Sequence, residues 1–359
     1  MKSIVSIVAS LVLLSACGPK DPGLKDAYRD YFKMGVAVTP RNVTDSLQSA
    51  LILKEFNSLT AENCMKPGEI HPRPGVWRLE QADAIADFCR ANGLKMRGHC
   101  LVWHSQFANW MFGQNDEEGH FVPATKEQFY DSLRVHIQFV VNRYKDVVYC
   151  WDVVNEAMSD AGNPDLPYEQ TFRRSRAYQL CGDEFILKAF QFAHEADPEA
   201  GLFYNDYSAW TPAKRTYIYN MVKKLKAEGA PITGIGMQGH YNIYDNPDME
   251  DFEKAIQMYL ELVDDIQITE LDVRVNHEGG GRLQFSRGQA VVLADSLAQR
   301  QNDKYAQLFE VMRRYSDHIS CVTFWNLSDR NSWLGANNFP LLFDRDFQRK
   351  PVYYTVRDF

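Results

Sequence analysis

The chain has 359 residues, 45% of them hydrophobic and 24% charged, with 15 Pro and 21 Gly, which excludes a disordered or collagen-like protein. Its 39 Lys and Arg against 47 Asp and Glu give a net charge of −8, which argues against nucleic acid as a partner, because binding by counterion release needs a basic surface.

In chain order, the sequence begins with Lys2 and an apolar run over 4–14, ending in Leu14-Ser15-Ala16-Cys17. A charged start, a short apolar stretch and a small-residue site make a secretory signal over 1–16, too short to cross a bilayer as a helix. Leu-Ser-Ala-Cys resembles the bacterial lipobox. Cys17 is therefore expected to carry a lipid and to anchor an exported lipoprotein to a membrane; the plainer alternative is a cleaved signal with Cys17 an incidental thiol. Residues 17–24 would be a tether. Six further cysteines, Cys64, Cys89, Cys100, Cys150, Cys181 and Cys321, form no CxxC pair and indicate neither a zinc site nor a disulfide framework.

From 25 to 359, short apolar runs alternate with longer amphipathic segments. Strands are predicted at 32–38, 58–62, 95–103, 147–156, 201–207, 232–241, 266–273 and 320–327. Apolar residues three to four apart predict helices over 46–56, 81–91, 126–144, 183–196, 212–228, 249–263 and 303–315. Strand alternating with helix means parallel pairing, and eight such units with nearly continuous apolar strands close best as a single (β/α)8 TIM barrel. A doubly wound sheet would carry a glycine-rich phosphate turn after its first strand, and Met34-Gly35-Val36-Ala37 is not one. Gly279-Gly280-Gly281 reads as a mobile loop at the barrel's functional end.

Such a barrel carries its active site at the carboxyl ends of its strands, and polar residues gather there. Glu62, Asn63 and Lys66 follow the second strand, His99, Trp103 and His104 end the third, and Asn155 and Glu156 end the fourth. Gln238 and His240 end the sixth, Glu270 and Asp272 the seventh, and Trp325 the eighth. Glu156 and Glu270 stand on strands that face each other across the pocket, the disposition glycoside hydrolysis needs of its two carboxyl groups. His99 and His104, five apart on a strand, point to opposite faces and lack further ligands nearby, so no metal is expected. Residues two apart share a face, so His240 could donate to Glu270 while Asp272 steadies the imidazole. Strict alternation sends Asn155 and Glu156 to opposite faces, unless the fourth strand bulges or turns at its end.

The motifs Glu62-Asn-x-Met-Lys66, Gly98-His-x-Leu-Val-Trp-His104-Ser-Gln106, Trp151-Asp-Val-Val-Asn-Glu156, Phe203-Tyr-Asn-Asp-Tyr207, Gly236-x-Gln-x-His240, Thr269-Glu-Leu-Asp272 and Thr323-Phe-Trp325 with Ser332-Trp333 together resemble glycoside hydrolase family 10, the retaining endo-β-1,4-xylanases. The likeness runs from about Val36 to Pro351. It implies hydrolysis of xylan and xylo-oligosaccharides by a monomer without a cofactor, with Glu156 as acid/base and Glu270 as nucleophile. It further implies that Asn155 holds the sugar 2-hydroxyl, and that Glu62, Asn63, Lys66, His99, Trp103, Gln238, Trp325 and Trp333 line the glycone side. Tyr207 falls on the aglycone side, and Gln106 and Trp333 beside C5 of the glycone sugars. Two departures touch loops: Leu334 follows Trp333 where a basic residue is common, and 277–302 is long and individual. A broader β-1,4-glycanase and a non-catalytic xylan-binding lipoprotein are the alternatives.

Overall fold

The computed structural model describes residues 21–275 and 293–359; the signal segment, Cys17 and Gly279-Gly280-Gly281 lie outside them. Eight parallel strands form the barrel: β1 (Lys33–Val38), β2 (Ser58–Ala61), β3 (Lys95–Trp103), β4 (Val148–Asn155), β5 (Gly201–Asp206), β6 (Gly234–Met237), β7 (Asp265–Arg274) and β8 (Ile319–Phe324). Each pairs with its sequence neighbours, and β8 returns to β1 with Lys33 opposite Cys321 and Val36 opposite Phe324, which closes the sheet. A helix follows every strand: α1 (Ser46–Glu55), α2 (Glu80–Asn92), α3 (Lys126–Tyr144), α4 (Glu184–Ala196), α5 (Pro212–Ala227), α6 (Met249–Leu260), α7 (Asp295–Arg314) and α8 (Pro351–Arg357). Local chemistry sets their starts. Asp45 caps α1 by accepting from the amides of Leu47 and Gln48, and Thr125 and Gln128 form a reciprocal capping box on α3.

The barrel is as the periodicity predicts; the eighth strand ends at Phe324 rather than 327, α8 is not among the predicted helices, and two further elements differ in extent. The sixth strand stops at Met237 and resumes as a short bridge over His240–Asn242. Between them Gly239 takes φ +90°, and a Cβ there would stand 3.0 Å from Ile268 Cγ2, so the break needs glycine. The seventh helix begins at Asp295 rather than 303: Leu297 packs against the core, and the next inward position is Gln301, whose amide donates to the carbonyls of Val273 and Phe339. Periodicity of apolar residues cannot register a polar side chain on the buried face.

The barrel interior is polar below the site. Arg97 on β3 is fully buried and binds both oxygens of Asp152 on β4, the Gln267 side-chain oxygen at 2.6 Å and the face of Phe203 at 4.6 Å. Gly236 makes room beside it: a Cβ there would fall 2.2 Å from Asn205 Oδ1 and 3.1 Å from the guanidinium. At the opposite end Glu55, also fully buried, accepts from the Leu24 amide, the Tyr353 hydroxyl and Arg349, while Asp21 pairs with Lys54, Arg349 and Arg357. These contacts fix residue 21 at the base, beside the ends of α1 and α8.

Arg97→Met should cost about 3–5 kcal/mol of unfolding free energy, because it leaves Asp152 buried without its main countercharge. Urea unfolding at neutral pH measures this, and a loss under about 1 kcal/mol, the scale of an average substitution, would show that the pair does not hold the barrel together.

Candidate active site

A cavity of about 660 Å³ opens at the carboxyl ends of the strands. It collects Glu62, Asn63 and Lys66 after β2, His99 and Trp103 from β3, Asn155 and Glu156 from β4, and Tyr207 after β5. Gln238, His240, Glu270, Asp272, Trp325 and Trp333 complete the wall on the other side. Gln106 is the exception to the sequence reading. Gln106 is not among the residues lining the cavity, and its carbonyl accepts from the Gly68 amide at 2.9 Å in the loop after β2. His104 likewise lies beyond the strand and is exposed, and among the described residues no three His, Cys, Asp or Glu side chains converge as a metal site.

Three strands break their alternation to crowd polar groups into one space. Pairing slips between His99 and Val102 on β3, between Asp152 and Val154 on β4, and between Ile268 and Leu271 on β7. The slip on β4 turns both Asp152 and Asn155 inward. Glu156 then joins them because its backbone is left-handed, φ +58°, a conformation costing a non-glycine residue about 1–3 kcal/mol. Hydrogen bonds from the Glu156 amide to the Asn205 carbonyl at 2.9 Å and from Arg173 Nε to the Glu156 carbonyl at 3.1 Å hold it there. So the strand both bulges and turns, the condition under which Asn155 and Glu156 reach the same side.

The two carboxylates have unlike partners. Glu270 accepts from Asn205 Nδ2 on one oxygen at 2.9 Å and from His240 Nε2 on the other at 3.2 Å, while His240 Nδ1 lies 2.9 Å from Asp272. Burial by itself would strip the proton from His240, but Asp272 and then Glu270 outweigh it and push its pKa from 6.5 up to about 10, so both ring nitrogens donate. Burial pushes the Glu270 carboxyl up; the His240 hydrogen bond, with the charges of His99 and His240, overcomes this and holds it below its ordinary value. Glu156 has only neutral donors: Gln238 Nε2 at 2.9 Å and Asn155 Nδ2 at 3.3 Å on one oxygen, Trp103 Nε1 at 2.9 Å on the other. A chain of amides links the pair, since Gln238 also donates to Asn155 Oδ1, which accepts from the same Asn205 nitrogen that binds Glu270.

The surrounding side chains are set by the same contacts. Asp152, held low by Arg97 against its own burial, fixes His99 through Nδ1 at 2.9 Å. Lys66 bonds Asn63 at 2.9 Å and lies 4.7 Å from the Trp103 ring. Trp333 is half exposed, yet its indole donates to Asp272 at 2.9 Å and its amide to Asn326, so Leu334 after it does not leave the ring unfixed. Sequence reasoning missed Ser208, Tyr241, Asn246 and Arg274 in the wall, and it passed over Asn205, whose place in the Phe203–Tyr207 motif was the available signal.

Comparison with known proteins identifies the family. The model of glycosyl hydrolase family 10 matches residues 23–359. The endo-1,4-β-xylanase/feruloyl esterase of Xylanibacter ruminicola is 58% identical over 344 residues, 94% of this chain and 47% of that protein. The β-1,4-xylanase of Dictyoglomus thermophilum is 40% identical over 96% of this chain and 93% of its own length. The chain thus spans about half of the first relative and nearly all of the second. Among solved structures, a psychrophilic family 10 endo-β-1,4-xylanase superposes with a TM-score of 0.84 at 52% identity, covering 94% of this chain and 99% of its own.

The ion triad predicts a pH signature. His240 is raised from 6.5 to about 10, so the stability it contributes is fully present below about pH 6.5 and is lost as pH rises through about 10. The melting temperature of the wild type should exceed that of His240→Asn most near pH 6, with the gap closing toward pH 10. A gap that stays constant over that range would mean that the imidazole is not held as a cation.

Proposed function

The chain belongs to glycosyl hydrolase family 10, and on that premise we propose that it is an endo-1,4-β-xylanase, cleaving internal bonds of xylan by a retaining double displacement. The observation that carries the reading is the unequal partnership of the two carboxylates: Glu270 rests on a cation, Glu156 on neutral donors. Glu270, fixed as an anion, attacks the anomeric carbon, and Glu156 delivers its proton to the leaving oxygen. The glycosyl ester removes the charge of Glu270. Glu156, now an anion, takes a proton from water as the water displaces the ester, and both groups return to their starting states. Trp103, Trp325 and Trp333 offer faces for sugar rings, Lys66 and Asn63 offer polar contacts to hydroxyls, and Asn155, which donates to Glu156 and is linked to Glu270 through Asn205, can meet a 2-hydroxyl.

The reading separates the two acids by leaving group. Glu156→Ala should keep most of its kcat/KM on 2,4-dinitrophenyl β-xylobioside, whose leaving group needs no proton, while losing roughly 100-fold or more on xylan. Glu270→Ala should lose both, and proton NMR of the wild-type reaction should show β product first. Equal behaviour of the two variants, or α product first, would refute the roles.

The protein is further proposed to be an exported lipoprotein held by Cys17, a reading supported by the lipobox-like end of the apolar run over 4–14. Asp21 lies four residues on from Cys17, a reach of at most about 14 Å. Asp21 is tied to the base, so an anchor there would hold the base against the lipid and point the cavity toward the polymer. Cys17→Ala should move the protein from the membrane fraction to the soluble one. A wild type recovered wholly soluble with an unmodified N-terminus would overturn the anchor.

A further inference from the structure

The left-handed turn at Glu156 is held from behind by groups that never reach the cavity. Tyr204 and Asp206, two apart on β5 and both fully buried, are absent from the cavity wall. The Tyr204 hydroxyl accepts from the Ala157 amide at 3.0 Å and from the Met158 amide at 3.2 Å, and it donates to Asp206 Oδ2 at 2.5 Å. A phenol has one proton and two acceptor lone pairs. Because Asp206 takes the proton, both acceptor positions face the two amides that follow Glu156. Asp206 is itself fixed through its other oxygen, which accepts from the Tyr207 amide at 2.9 Å and from Lys214 Nζ at 3.3 Å. Lys214 also reaches the Met158 carbonyl at 3.3 Å, and Arg173 reaches the Glu156 carbonyl. The Ala157 carbonyl accepts from the Arg173 amide at 2.8 Å. The backbone from 156 to 158 therefore has every amide and carbonyl committed, and in a conformation that a glutamate adopts only when its surroundings impose it.

We propose that Tyr204 and Asp206 are a positioning pair for the acid/base: the phenol, oriented by Asp206, locks the turn that aims the Glu156 carboxyl at the leaving-group oxygen. The inference rests on the proposed role of Glu156 as proton donor. Burial raises the Asp206 carboxyl and the nearby Glu156 adds to it, while Lys214 and the Tyr204 hydroxyl oppose this, so the pair is tuned against its surroundings. An acid displaced by a fraction of its hydrogen-bonding reach loses proton delivery and leaves the nucleophile untouched, since Glu270 is held by Asn205 and His240.

The test reads leaving-group dependence, which a merely structural role would not move. For wild type, Tyr204→Phe, Asp206→Asn and Glu156→Ala, kcat/KM is measured on phenyl β-xylobioside, which needs the proton, and on 2,4-dinitrophenyl β-xylobioside, which does not. Tyr204→Phe should lose roughly 10- to 100-fold on the phenyl substrate and less than about threefold on the dinitrophenyl one. Asp206→Asn, which keeps volume and an acceptor, should shift the ratio the same way by a smaller factor. Tyr217→Phe is the control: its hydroxyl donates to the Ala161 carbonyl at 2.5 Å in the same loop and makes no hydrogen bond with residues 156–158, so it should lower the melting temperature with the ratio unchanged. A ratio equal to wild type in Tyr204→Phe and Asp206→Asn, or one raised as much in Tyr217→Phe, overturns the positioning pair. Should Tyr204→Phe fail to fold, Asp206→Asn decides alone. If the ratio stays flat even in Glu156→Ala, the acid itself is misassigned; if it rises there and not in the positioning variants, only the pair falls.

Discussion

A guanidinium sealed in the centre of a barrel is the constraint around which this molecule is arranged. Removing Arg97 and Asp152 from water costs several kcal/mol per ion, recovered only if the geometry satisfies nearly every donor and acceptor. The barrel complies: Asp152 takes two guanidinium nitrogens, Gln267 and Cys150 receive the rest, and Phe203 lies against the cation's face. Having accepted from Arg97, Asp152 also accepts from His99, and so the fixed charge of the interior becomes the fixed floor of the cavity. Gly236 and the slip on β4 follow from the same demand, because a regular, fully branched interior would leave no room for the guanidinium or its partners.

Above that floor the charges continue to alternate. Glu270 lies beneath His240, His240 beside Asp272, and Asp272 under the Trp333 indole, so each buried ion has an opposite charge or a strong donor on either side. A single buried carboxylate would take up a proton to escape the low dielectric. Here the His240 cation makes protonation of Glu270 the costlier outcome, which is how a group that is almost fully buried remains an anion.

The order of strands and helices was legible because the strands are nearly continuous apolar runs and each long helix is apolar on one face, in repeated alternation. The strand-end carboxylates and His240 were legible as polar residues interrupting those runs. What periodicity could not register is where period two fails. The slips on β3, β4 and β7 leave no mark in residue type, and neither does the turn at Glu156, since a glutamate with positive φ is imposed by Tyr204, Arg173 and Asn205 from other strands and loops. Gln106 shows the converse: it belongs to a well-matched motif, yet it is not among the residues lining the cavity. Gln301 was missed because a buried amide that satisfies two carbonyls looks, in sequence, like a surface residue.

The amide chain between the carboxylates has a further consequence for the proposed cycle. In the first step negative charge leaves Glu270 as the ester forms and appears on Glu156 as its proton departs, so the charge crosses the cavity without changing the total. Charged donors on both sides would favour one of these states and hinder the other. Gln238, Asn155 and Asn205 are neutral and need no proton transfer of their own, and they already bridge the two groups, so they can strengthen toward whichever carboxylate carries the charge. The cation at His240 does not spoil this balance when Glu270 becomes neutral. Asp272 is the larger support of the imidazolium and Glu270 the smaller, so His240 stays protonated through the intermediate and stands ready to receive the nucleophile's charge when the ester breaks. Preorganisation here is a matter of which donors are charged and which are not: the imidazolium on Glu270 is secured by Asp272, and the hydrogen-bond donors on Glu156 are amides and an indole.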